Sequence, residues 1–170
     1  SADQTWIFDP VPAFSYGLNV ALTYKNFDFT VFWQGVYNQD VYNNQKFQTD
    51  FWSITDPGSN KGNRMLGAWT TDNRTSTIPA LTIRNNADEG RASSYFVENG
   101  SYLKLRTLQL GYNLPASLLS KLLMTSARVY ISGQNLLTIK SNSLTCSDPE
   151  NPNWNYPIPA SVSFGLQVGF

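Results

Sequence analysis

Ser161-Val162-Ser163-Phe164-Gly165-Leu166-Gln167-Val168-Gly169-Phe170 closes the chain, and its strict alternation decides the fold. Val162, Phe164, Leu166, Val168 and Phe170 share one face of a strand, while Ser161, Ser163, Gly165, Gln167 and Gly169 share the other. Chain ends are ordinarily polar and frayed, so a terminus apolar to its last residue calls for a surface that hides it. The lipid face of an outer-membrane barrel is such a surface.

The same alternation recurs upstream. Phe14, Tyr16, Leu18, Val20, Leu22 and Tyr24 lie on one face, and after a break at Lys25-Asn26 so do Phe27, Phe29, Val31, Trp33 and Tyr37. A tight hairpin at that break sets Tyr24 opposite Phe27, Leu22 opposite Phe29, Val20 opposite Val31 and Leu18 opposite Trp33, so the two apolar faces coincide. A third strand is expected from Tyr102 to Leu114, with Leu108, Leu110, Tyr112 and Leu114 on the apolar side. Its start is out of phase: Lys104 and Arg106 fall on the apolar side, which places that end above the hydrocarbon or calls for a bulge. A fourth strand, Ala127 to Ile139, carries Val129, Ile131, Leu137 and Ile139 outward, with Gly133 and Asn135 interrupting that face and Leu136 on the polar one.

These readings give an all-β chain, an antiparallel up-and-down transmembrane β-barrel segment of about five strands. Single-chain bacterial barrels use even strand numbers from about eight upward, so the segment is expected to be part of a larger barrel. Connections alternate short (Lys25-Asn26), long (39–101), short (115–125) and medium (140–160), the pattern of brief periplasmic turns and extended outer loops. On that reading 39–101 is a long extracellular loop and the C-terminus is periplasmic. Ten residues at about 3.3 Å each, tilted near 45°, rise roughly 25 Å, the height of the outer-membrane apolar band.

Twelve basic and twelve acidic residues give a formal net charge of 0, and they are scattered, so no basic stripe for a nucleic acid exists. No apolar run reaches the roughly 18 residues of a membrane-spanning helix, and a mildly polar mean hydropathy is expected of barrels, whose strands face water on one side. The first residues, Ser1-Ala2-Asp3-Gln4, have no signal-peptide pattern, which reads as a mature or internal piece. His is absent and Cys146 is the sole cysteine, which removes intrachain disulfides, Cys/His zinc sites and imidazole catalysis. Cys146, in the polar stretch Ser143-Leu144-Thr145-Cys146-Ser147-Asp148, reads as an incidental loop thiol.

Within 39–101, Phe51, Trp52 and Trp69 are candidates to stack on a ligand or hold a partner, as are Trp154 and Tyr156 in the last loop; packing of each loop on its own aromatics is the competing reading. Tyr16, Tyr24, Phe27, Trp33 and Tyr37 are candidate interfacial aromatics at the lipid headgroups. Asp148 and Glu150 supply too few ligands for calcium and no placed acid/base pair, so neither a metal nor a cofactor is expected. Asn73-Arg74-Thr75 and Asn99-Gly100-Ser101 match a short glycosylation pattern that occurs often by chance.

Several blocks in order resemble the C-terminal region of the SusC/RagA family of TonB-linked outer-membrane proteins of Bacteroidetes. They are Pro12-Ala13-Phe14-Ser15-Tyr16-Gly17-Leu18 with Tyr24-Lys25-Asn26-Phe27-Asp28 and Phe32-Trp33-Gln34-Gly35, then Trp69-Thr70-Thr71-Asp72-Asn73. Glu98-Asn99-Gly100-Ser101-Tyr102-Leu103-Lys104-Leu105, Leu110-Gly111-Tyr112-Asn113-Leu114-Pro115 and Arg128 to Leu136 continue the series. Asp148-Pro149-Glu150, Tyr156-Pro157-Ile158-Pro159 and Phe164-Gly165-Leu166 complete it; Asn99 stands where the family has Asp.

The resemblance implies a barrel of about 22 strands filled by a plug, energised by the TonB complex and lidded by a SusD-like lipoprotein, importing bulky nutrients such as oligosaccharides or peptides without enzymatic chemistry. It also implies that Gly165, Val168 and Phe170 form the last-strand signal read by the barrel-insertion machinery. The competing reading is a soluble, secreted β-sandwich that binds carbohydrate; a hydrolase lacks His and a placed carboxylate pair.

Overall fold

A computed structural model describes residues 5–51, 60–81, 91–153 and 156–170. Five long strands form one antiparallel sheet: β1 Phe14–Tyr24, β2 Phe27–Tyr37, β5 Tyr102–Asn113, β6 Ser126–Lys140 and β7 Ser161–Gly169, in the order β1-β2-β5-β6-β7. Two short strands, β3 Asp40–Tyr42 and β4 Val97–Asn99, pair with each other between β2 and β5. The described helical elements are short: α1 Asn44–Asp50 beside β3, α2 Ala116–Leu119 on the β5–β6 connection, continued by a 3₁₀ turn over Ser120–Leu122, and 3₁₀ turns over Asn63–Gly67 and Ser94–Phe96.

The β1–β2 hairpin has the register that the sequence requires, with Tyr24 opposite Phe27 and Leu18 opposite Trp33. Lys25 makes the turn in the left-handed region, at φ 52°. Asn26 ties this turn to the next strand: its side-chain amide donates to the Asn113 carbonyl at 2.8 Å, and its own carbonyl accepts from the Asn113 N–H at 2.8 Å.

The phase break in β5 is a bulge. The β2–β5 ladder steps from Phe32 opposite Thr107 to Trp33 opposite Leu105, leaving Arg106 as an extra residue. Leu103 and Leu105 thereby join Gly35 and Trp33 on the apolar face, while Lys104 pairs with Gln34 on the other. The expected outward placement of Lys104 and Arg106 is corrected by that one residue, since the Arg106 Nε also turns inward and donates to Gln34 Oε1 at 2.9 Å.

On β6 a second irregularity answers the first, with Asn135 and Leu136 together facing Arg106. Asn135 adopts φ 51°, which reverses the expected facing of both residues. Its side-chain oxygen takes a long hydrogen bond from Arg106 on the inner face, and Leu136 swings outward over Gly133, where a Cβ would meet its Cδ1 at 2.5 Å. The two gaps in the outer face of β6 are thus covered by one leucine.

The outer face is apolar along its length, with aromatic pairs at its ends. Phe14 stacks on Tyr37 with ring centroids 5.1 Å apart at one end, and Phe27 packs on Tyr112 at 4.7 Å at the hairpin end. Between them Leu18 and Leu22 remain 58 % and 60 % exposed, and Phe164 on β7 81 %. Among the described residues the only other sheet is the β3–β4 pair of three residues each, far too small to cover that face as a sandwich would.

On the inner face an ion pair crosses a strand. Arg128 on β6 reaches Asp28 on β2, its Nε 2.9 Å from Oδ1, passing over Gly111 of the intervening β5. A Cβ at Gly111 would stand 2.5 Å from the carboxylate and 2.6 Å from the Arg128 Nη2. Replacing Gly111 by Val is therefore expected to lower stability by about 1–3 kcal/mol, read as a lower urea midpoint of the full-length barrel; an unchanged midpoint refutes the crossing.

Candidate functional site: a loop unit clasped to the strand wall

Beyond the ends of β2 and β5 the chain builds a small folded unit. Asn43 starts α1, its Oδ1 accepting from the Lys46 N–H at 3.2 Å. Its amide nitrogen donates at 2.9 Å to both Glu98 Oε2 on β4 and the Thr145 hydroxyl, so one cap residue joins the helix, the small sheet and the last loop. An aromatic cluster packs behind α1: Phe96 is fully buried, with Phe51 at 6.0 Å and Tyr95 at 5.4 Å between ring centroids.

Two buried carboxylates organise the unit. Asp50, wholly excluded from solvent, accepts from the Arg64 Nε at 2.7 Å, the Tyr95 hydroxyl at 2.7 Å and the Thr49 hydroxyl at 2.9 Å. Burial, then the bond to Asp50, push the Tyr95 phenol well above its ordinary range, so it stays a donor. Glu98 accepts from the Thr145 N–H and hydroxyl, each at 2.8 Å, with the Lys46 ammonium 3.4 Å away. Burial pushes its carboxyl up, but the bonds from Thr145 and Asn43 outweigh that and leave it below the usual range.

A clasp fastens this unit to the wall. Lys104 on the inner face of β5 is 2 % exposed and holds Asp148 at 2.7 Å and Glu150 at 2.6 Å. Glu150 also accepts from the Tyr102 hydroxyl at 2.7 Å and pairs with Arg106. Burial raises both loop carboxyls, and the bonds from Lys104 with backbone N–H groups on Asp148, and from Lys104, Tyr102 and Arg106 on Glu150, carry each below its ordinary value. Both carboxylates are taken up by cations of the wall.

The loop between β6 and Asp148 completes the join. Cys146 is a loop thiol, but one that its polar neighbours conceal as a core residue: it is wholly buried against Val41 and Leu144, and burial pushes its thiol up. Its carbonyl accepts from the Lys140 ammonium at the end of β6.

The sequence candidates are scattered over this architecture. Phe51 lies in the aromatic cluster, its rings shared with Phe47, Tyr95 and Phe96. Trp69 is partly exposed, its backbone N–H donating to the Ile78 carbonyl, and Tyr156 is almost fully exposed. Trp52 and Trp154 lie outside the described residues. No local pattern marks Asn43, Asp50, Tyr95, Phe96, Glu98 and Thr145, which hold the unit together; the clasp has two signals in the sequence, the out-of-phase charges at 104 and 106 and the carboxylate pair Asp148 and Glu150.

Fold and site define a segment of a larger strand-built membrane barrel, with its surface unit attached. No family model matches the chain. Curated proteins of Formosa agariphila do, among them TonB-dependent receptor P3, 37 % identical over 153 residues and 88 % of this chain, and TonB-dependent receptor P26, 30 % identical over 191 residues and 99 % of it. The chain spans only 14 % and 18 % of their lengths. Structures of the RagAB peptide importer superpose at TM-score 0.76 in the closed-closed state and 0.74 in the open-open state, with 26 % and 27 % identity over 94 % of this chain and 17 % of theirs. The chain belongs to the SusC/RagA family of TonB-dependent outer-membrane receptors.

Cutting the clasp from the wall side leaves the buried Asp148 carboxylate without a cation. Lys104→Met is expected to cost about 3–5 kcal/mol, whereas Asp148→Ala, which leaves Lys104 its pair with Glu150, costs less. Because both loop carboxyls are depressed in the folded state, their contribution is complete above about pH 4 and is lost as pH falls through the depressed values. Protection of the 141–153 amides against hydrogen exchange, corrected for intrinsic rates, should fall over that window; equal protection at pH 6 and pH 3 refutes it.

Proposed function

We propose that this chain is part of the wall and the substrate-facing surface of an outer-membrane importer of bulky nutrients, oligosaccharides or peptides, working with a SusD-like surface lipoprotein. The observation that carries the reading is the contrast between the two sheet faces. An apolar band of aliphatic and aromatic side chains suits hydrocarbon, the opposite face is polar and ion-paired, and the loop unit sits at one end only.

In this arrangement 39–101 and 140–160 lie outside the cell, and the Lys25-Asn26 hairpin, 115–125 and the C-terminus lie in the periplasm. Tyr16, Tyr24, Phe27, Trp33 and Tyr37 then meet the headgroup regions, Trp33 lying two pairs further into the ladder than Gly35. Gly165, Val168 and Phe170 serve insertion of β7 into the barrel. The remaining strands, the plug and the contact with the TonB complex belong to the rest of the receptor, and no bond chemistry is assigned to this part.

The full-length receptor tests the reading in cells. Energised uptake of a labelled oligosaccharide or peptide should require both the receptor and TonB, and uptake that persists without TonB refutes the import half. Topology is read separately with a membrane-impermeant maleimide. Leu66→Cys should label on intact cells and Asn26→Cys only after the outer membrane is opened, while deletion of Phe170 should lower the Leu66→Cys signal by lowering the inserted yield. Labelling of Asn26→Cys from outside inverts the assignment.

A further inference from the structure

We infer that a cleft on the inner side of the wall, beside the clasp, binds an uncharged apolar stretch of peptide. The inference rests on the import reading above. The cleft encloses about 540 Å³, within the usual span of small-ligand sites. Its floor is Val36 and Tyr102, partners in the β2–β5 ladder that face inward. Its sides come from three distant stretches, 8–12, 39–44 and 149–153.

Bonds between those stretches hold the cleft's shape. Gln39 donates to the Pro10 carbonyl at 3.0 Å, Asn44 to Asn153 Oδ1 at 3.0 Å, and Tyr102 to Glu150 at 2.7 Å. A site formed before its ligand arrives loses less entropy on binding.

The chemistry of the walls selects the occupant. Rings of Phe8, Tyr42 and Tyr102 line the cleft together with prolines at 10, 12, 149 and 152, which present hydrocarbon and carbonyl oxygens but no N–H. The amide nitrogens of Gln39 and Asn44 are engaged in the wall itself, so few donors remain for the many hydroxyls of a sugar. No Lys or Arg lines the cleft among the described residues, and Asp40 meets only the Asp9 N–H. A sulfate, a uronate or an acidic side chain would enter without a counter-charge. Tyr42, held between Phe8 at 6.1 Å and Phe96 at 5.6 Å, has a hydroxyl with no hydrogen-bond partner among the described residues, free to donate to a peptide carbonyl.

Calorimetry on the purified full-length receptor tests this with three probes: a terminally capped Ala-Pro-Leu-Ala, the same peptide with Glu in place of Leu, and maltotetraose. Only the first should bind, and Val36→Trp, which fills the floor, should weaken it at least about tenfold. Tyr42→Phe should weaken it severalfold at an unchanged melting temperature, which guards against a merely misfolded Val36→Trp. Undiminished binding to both variants, tighter binding of the acidic peptide, saccharide binding lost in Val36→Trp, or no probe bound because the receptor's own residues fill the cleft each overturn the proposal. Binding retained in a receptor that supports no TonB-dependent uptake overturns the import reading and leaves the cleft; peptide uptake unaffected by Val36→Trp does the reverse.

Discussion

One extra residue at Arg106 governs how the wall meets the surface unit. A strand that crosses hydrocarbon must bond every backbone group to its neighbours and turn alternate side chains toward lipid. Strict alternation through 103–108 would have sent Lys104 and Arg106 outward, at up to about 2–4 kcal/mol each near the midplane and less toward the headgroups. The bulge sends Leu103 and Leu105 out instead, in line with Trp33, and leaves both cations inside.

Charges turned inward need partners, and the wall offers Arg106 only the neutral oxygens of Gln34 and Asn135. The counter-charges come from the loop before β7, whose Asp148 and Glu150 reach Lys104 and Arg106. Three residues earlier in that loop, Thr145 holds Glu98 and takes a bond from Arg64 at 2.8 Å. The wall, the β3–β4 pair and the 63–67 turn are therefore fixed to one another through a single loop. Buried ion pairs add little net stability over a well-packed apolar equivalent, but they tolerate few alternative partners. Their effect here is to set where the surface unit sits.

The barrel strands were legible because lipid and water on opposite sides impose a two-residue period, and the hairpin register followed from the positions of the aromatics. The break in that period at 103–106 was legible as a break, though its resolution was not: whether a strand stops or bulges depends on partners in β2 and β6. Asn135 and Leu136 were misread for a similar reason, since one left-handed residue reverses the facing of both. The surface unit has no period to read. Its core joins Val41 to Leu144 and Cys146, residues about a hundred positions apart, so the burial of Cys146 is a tertiary property that no local pattern carries.

The inner face itself shows where discrimination resides in such a wall. Its charges occupy two levels, the Asp28–Arg128 pair near the hairpin end and the clasp near the surface unit, and at both they are paired within the chain. Between them the register sets rows of neutral groups: Ala21, Thr30, Gln109, Ser132 and Ser163 in one, Asn19, Phe32, Thr107, Gln134 and Ser161 in the next. Hydrogen bonds to such groups exchange with water at a net cost of about 1 kcal/mol each, whereas parting a buried ion pair costs several times more. In the proposed importer, a surface of this kind lets neighbouring parts separate and rejoin without large electrostatic barriers and holds no cargo of either sign. Selectivity then falls to the end of the wall where rings, carboxylates and a shaped cleft converge, which is the end that the bulge at Arg106 and the clasp hold in place.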